Sequence, residues 1–162
     1  MSNDLLDAKR WPHIYLYEVA CRCRYSDCPY KTLEQVLAVI DPDILDVVEY
    51  LRAHFGGRPL LITSGVRCQR HNRAEGGAEA SPHVPTLLAQ IGNDRRSYAV
   101  DISIVGYFAS PRGMRNEIRK IYPNIRIGWM QYSKWVHLDF AFRHPYKNHP
   151  DMVKHWIVAG EW

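Results

Sequence analysis

Three short stretches of this chain carry residues that can bind a metal ion or move a proton. One is WVHLDFAF, residues 135–142. Side chains alternate between the two faces of a strand. Val136, Leu138 and Phe140 therefore share one face, and His137 and Asp139 share the other. A histidine and a carboxylate so placed form a metal or acid–base pair, or simply a polar surface. A second stretch is YAVDISI, residues 98–104. Its apolar face is Tyr98, Val100, Ile102 and Ile104, which leaves Asp101 on the opposite face. Aspartate is depleted in strands, so Asp101 calls for a partner: a metal, a cation, or water at a sheet end. The third stretch, residues 64–83, reads SGVRCQRHNRAEGGAEASPH and ends in Ser81-Pro82-His83. Two histidines and one carboxylate are a common catalytic zinc set, because they leave one coordination position open to water.

These residues must be positioned by elements that the hydrophobic pattern predicts. Leu33, Val36, Leu37 and Ile40 recur at helical spacing. Asp41 is an N-cap and Pro42 a first helical residue for a helix carrying Ile44, Val47, Val48, Leu51 and Phe55, which stops at Gly56-Gly57. Residues 59–63 (PLLIT) predict a strand, as do 98–104, 125–130 and 134–142, the last two forming a hairpin around Gln131–Ser133. Ser110 and Pro111 start a further helix that runs to Ile121 and is halted by Pro123. Residues 64–97 read as irregular with a short helix near 84–91, and 13–30 as a loop-rich arm. Helices followed by strands with one inserted helix predict an α+β domain, a small antiparallel sheet with helices packed on one side. The domain is expected to fill 1–162 around a core at 40–142, with 1–30 and 143–162 peripheral.

The chain has 162 residues, 46% hydrophobic and 23% charged, and a net charge of +4. That is one ordinary globular domain. Its basic residues are scattered rather than gathered on one stripe, which argues against a nucleic-acid partner. No apolar run approaches the roughly 20 residues of a membrane span. The N-terminus lacks a charged-then-apolar leader, so synthesis in a cytoplasm is expected, and a monomer with it. Cys21, Cys23 and Cys28 cluster, and Cys68 stands apart. The spacing C-x-C-x4-C is unlike paired C-x2-C zinc units. Buried thiols, a small second metal site and a disulfide all stay open.

The ordered motifs resemble those of the zinc D-alanyl-D-alanine carboxypeptidases and related phage endolysins, whose fold is shared with the hedgehog signalling domain. That family pattern is a strand ending in S-G-x-R, a loop with H-N and G-G, then S-x-H, A-x-D, G-W/Y and H-x-D. Here stand Ser64-Gly65-Val66-Arg67, His71-Asn72, Gly76-Gly77, Ser81-Pro82-His83, Ala99-Val100-Asp101, Gly128-Trp129 and His137-Leu138-Asp139. The resemblance implies one zinc ion held by His83, Asp101 and His137. It implies Arg67 stabilising an oxyanion or holding a substrate carbonyl, Ser81 orienting its loop or touching substrate, and a peptidoglycan peptide as substrate. The protein would then act at the bacterial cell wall, as a lysis enzyme does. A zinc-holding binding module that has lost catalysis is the alternative.

Two departures stand out. The family spaces its first ligands as H-x-x-G-x-A-x-D, whereas His83 and Asp101 are eighteen residues apart. Residues 84–97 therefore read as an insertion. Relatives also place an acid or histidine just before the last ligand, where this chain has Gln131, Tyr132, Ser133, Lys134, Trp135 and Val136. Asp139 is left as the expected general base or as a hydrogen-bond partner to a ligand, with Glu75 and Glu79 as weaker candidates.

Overall fold

The computed structural model describes residues 4–56, 59–79, 81–85, 96–105, 111–129 and 134–140. The chain opens with a hairpin of β1 (Leu5–Asp7) and β2 (Trp11–Tyr15), followed by the short helices α1 (Leu16–Val19) and α2 (Leu33–Leu37). Then come α3 (Pro42–His54), β3 (Leu60–Ser64), α4 (Gln69–Ala74), β4 (Ala99–Ile104), α5 (Pro111–Ile121), β5 (Arg126–Trp129) and β6 (Val136–Asp139). β3, β4, β6 and β5, in that spatial order, form one sheet in which every pairing is antiparallel. This is a small α+β domain. Among the described residues no helix is long and apolar enough to cross a membrane.

Local chemistry accounts for the main elements. Asp41 caps α3 by accepting the Asp43 N–H at 2.8 Å, and Pro42 occupies the first turn, where its missing donor costs nothing. Ile44, Val47, Val48 and Leu51 give α3 one buried face. That face joins Leu60 and Ile62 of β3, Val100, Ile102 and Ile104 of β4, Ile127 of β5, Val136 and Leu138 of β6, and Met114 and Ile118 of α5 in one core. Strand alternation then puts Asp101, Arg126, His137 and Asp139 on the other face of the sheet.

The N-terminal segment departs from the loop-rich arm expected of residues 13–30. It forms β2 and α1, and Trp11, Ile14, Leu16, Val19 and Tyr30 enter the core. Polar bonds hold it there. Trp11 Nε1 donates to Asp46 on α3 at 2.7 Å, and the Arg52 guanidinium bridges Glu18, the His13 carbonyl and the Leu60 carbonyl. Residues 69–74, read as irregular, form α4; a single polar turn and a half has too little apolar periodicity to announce itself. The helix near 84–91 and the hairpin turn at Gln131–Ser133 fall largely or wholly outside the described residues, but the antiparallel β5–β6 pairing is present.

Candidate metal centre

The candidate ligands arrive from three directions. Asp101 is in the middle of β4 and His137 is its direct cross-strand partner on β6. His83 lies on the loop between α4 and β4. That loop is folded by its own polar groups: Ser81 Oγ accepts the His83 N–H at 3.4 Å, and the Val84 N–H reaches the Ser81 carbonyl at 3.0 Å. The Arg67 N–H donates to the His83 carbonyl at 2.8 Å and fixes the loop to the end of β3. The two ends of the 84–97 insertion meet. The Tyr98 N–H and the Ser97 hydroxyl both bond the Pro82 carbonyl, at 3.0 and 3.3 Å. An insertion whose ends are pinned together leaves the ligand spacing in space unaffected.

The three side chains are almost wholly buried, His83 at 2%, Asp101 at 4% and His137 at 4% exposure. Their donor atoms converge. His83 Nε2 is 3.2 Å from Asp101 Oδ1 and 3.1 Å from His137 Nδ1, which is 2.8 Å from the same carboxylate oxygen. The outer nitrogens decide the tautomers. His83 Nδ1 faces the Gly65 carbonyl at 2.7 Å, so it carries the proton. His137 Nε2 faces Asp139 Oδ2 at 2.8 Å and carries the proton there. Neutral imidazoles so arranged turn three lone pairs on one another. Unrelieved, that contact is repulsive and buried. A cation at the common point relieves it, and the donor separations are close to the ~3.4 Å edge that Zn–N and Zn–O bonds of about 2.0–2.1 Å imply for a tetrahedron. The donor set fits zinc.

Charges around the centre reinforce it. Burial lowers the His83 pKa, only partly offset by the nearby Asp101 carboxylate, and keeps that ring neutral. For His137, burial disfavours the proton, but hydrogen bonds to Asp101 and Asp139 outweigh it and the pKa rises. Burial alone would raise the Asp101 pKa; charge and hydrogen bonding from the two histidines push it well below the usual carboxylate range.

Arg67 spans two groups, Nε to Ser64 Oγ at 2.7 Å and Nη2 to Asp101 Oδ2 at 2.7 Å. Asp101 thus turns Oδ1 to the histidines and Oδ2 to the arginine. Asp139 is fully buried and is gripped by Arg126, with Nε at 2.8 and 2.9 Å from its two oxygens and Nη2 at 2.6 Å. Although burial acts to raise its pKa, the Arg126 cation and His137 hold it below the ordinary value. Arg126 is the residue that sequence reasoning did not single out. Its signal was the hairpin register, which pairs Arg126 with Asp139. Glu75 and Glu79 turn instead to His71 and Arg73, at 3.6 and 3.3 Å.

Two glycines shape the surroundings. A Cβ on Gly65 would lie 2.4 Å from the Val19 carbonyl oxygen, so only glycine lets α1 approach the loop whose carbonyl orients His83. Gly76 has φ +68°, the left-handed turn that glycine adopts freely.

No curated protein and no solved structure matches the chain. One family model does: that of peptidase M15, over residues 13–139, a span that runs from within β2 to the end of β6 and takes in the Arg67 loop and all three candidate ligands. M15 enzymes are zinc peptidases, in keeping with two histidines and an aspartate whose donor atoms meet at one buried point. The chain belongs to the peptidase M15 family.

Proposed function

We propose that this zinc peptidase hydrolyses peptide bonds of bacterial peptidoglycan, either at a terminal D-Ala-D-Ala or within a stem or cross-bridge, in the manner of a phage or prophage lysis enzyme. The observation that carries the hydrolase reading is the convergence of His83, Asp101 and His137 on one point with their protons turned outward. The wall substrate rests on the ordered motifs from Ser64-Gly65-Val66-Arg67 to His137-Leu138-Asp139, and the net charge of +4 suits an anionic wall.

In this reading His83, Asp101 and His137 would hold one zinc, which would supply Lewis-acid chemistry for water and the scissile carbonyl. Arg67 holds Asp101 through Oδ2 and directs its remaining N–H groups at the carbonyl oxygen as negative charge develops. Asp139 acts through His137: it fixes the tautomer that leaves Nδ1 free to ligate. Its ion pair with Arg126 leaves it a poor proton acceptor. Ser81 sets the turn that presents His83 by accepting its N–H.

The engagement of Asp139 also favours a second reading, a zinc-holding module that binds wall peptides without cutting them. Purified peptidoglycan incubated with the zinc-loaded protein separates the two. Release of free D-alanine supports a carboxypeptidase, and new amino termini support an endopeptidase. Peptide binding with no released product supports the silent module and contradicts the enzyme.

A further inference from the structure

A second group of metal-ligating side chains lies outside the histidine centre. Cys21, Cys23, Cys28 and Cys68 are all buried and free, and their sulfur atoms lie within 4.8 Å of one another. Each sulfur thus has three sulfur neighbours rather than the one that a disulfide needs. Zn–S bonds of about 2.3 Å place tetrahedral sulfurs ~3.8 Å apart, so the four positions suit a single ion.

Backbone hydrogen bonds give a second, independent reason. Cys21 Sγ accepts the Cys68 N–H at 3.3 Å. Cys68 Sγ accepts the His71 N–H at 3.4 Å. His71 Nδ1 is a further 3.4 Å from Cys21 Sγ. Neutral thiols in an apolar core are weak acceptors and would leave these amides poorly paired. Thiolates, the form that ligates metal, satisfy them. The Lys31 ammonium sits on the carbonyls of Cys21 and Cys23, where it offsets the negative charge of four thiolates around a dication.

We propose that Cys21, Cys23, Cys28 and Cys68 hold one zinc-class divalent ion in a tetrathiolate site that clamps the N-terminal segment to the Arg67 loop. Cys68 follows Arg67 directly and caps α4, while the other three cysteines lie on the connection between α1 and α2. Four soft sulfur ligands in a closed shell select zinc over magnesium or calcium and leave no position for water, so the site is structural. On loading, each thiol gives its proton to solvent as its sulfur binds the ion.

The test uses the full chain carrying His83→Ala, in which the thiolate site alone is intact. Reduced, metal-free protein is titrated with cobalt(II) under anaerobic conditions. One equivalent is expected to bind with intense sulfur-to-cobalt charge-transfer absorption and tetrahedral d–d bands, both erased by zinc. Cys23→Ser and Cys28→Ser should each lose that absorption. Should those variants fail to fold, thiol counting on the His83→Ala protein as purified still decides. Mercurial titration is expected to release about one zinc as four thiols react. Cobalt uptake without charge-transfer absorption, or fewer than four thiols in denaturant without reductant, overturns the proposal.

Discussion

Asp101 and His137 face one another across the β4–β6 ladder, and the carboxylate oxygen Oδ1 lies 2.8 Å from His137 Nδ1. One strand pair thus sets two of the three candidate metal donors by register alone, and only His83 has to be brought in by a loop. Two residues further along β6, Asp139 is likewise the cross-strand neighbour of Arg126 on β5. The support for His137 is therefore built into the same sheet as the ligand.

Asp139→Asn tests that support. The amide preserves shape but can turn its NH2 toward His137, and it leaves the Arg126 charge buried without its partner. Zinc affinity is expected to fall by about 10–100-fold, and stability by roughly 3–5 kcal/mol, the scale of a broken buried ion pair. A competitive chelator titration reads the first and urea unfolding the second. Loss of turnover with zinc affinity unchanged would make Asp139 the base and remove the positioning role.

Arg67→Lys keeps a positive charge but cannot span Ser64 Oγ and Asp101 Oδ2 as the guanidinium does. The expected outcome is a fall of about 10²–10³-fold in kcat, the scale of removing one oxyanion donor, with zinc content retained. Steady-state kinetics on a peptidoglycan peptide, alongside metal analysis, checks it. Unchanged kcat would confine Arg67 to holding the loop.

The sheet and its site face were legible in the sequence because strand alternation fixes which residues share a face. WVHLDFAF and YAVDISI could be read directly for that reason. The α3 boundary was legible too, since Asp41 and Pro42 mark a helix start by chemistry that needs no tertiary context. The role of Arg126 was not, because it depends on hairpin register, and a slip of one residue would send Arg126 to the core face. The outward proton of His83 rests on the Gly65 backbone carbonyl, which no side-chain pattern announces. The β1–β2 hairpin and α1 were hidden because their burial is against α3 and β3, distant in sequence. The cysteine group was visible only as a suggestion: Cys68 joins the other three through the fold, not through spacing.

Asp46 gives a pH-dependent prediction away from the site. Hydrogen bonds from the Arg10 guanidinium hold its pKa below the ordinary 3.8, helped by the Trp11 indole and opposed by burial. A depressed folded-state pKa contributes stability that is present above the unfolded value and is lost as pH falls through the folded one. The pair is nearly half exposed, at 47% and 45%. Asp46→Asn is therefore expected to cost only about 0.5 kcal/mol near neutral pH, the scale of a screened pair. Urea unfolding at several pH values should show this gap narrowing as pH falls below about 4. A gap that widened on acidification would contradict the assignment.

The most direct test of the metal centre is zinc content by elemental analysis, on wild type and His83→Ala side by side after dialysis against a weak chelator. The wild type is expected to retain about one zinc per chain more than the variant, whatever the cysteine group holds, because His83 is one of the three candidate donors that meet at the histidine centre among the described residues. Equal zinc in the two proteins would contradict the account: His83, Asp101 and His137 would then not be the ligands of this peptidase.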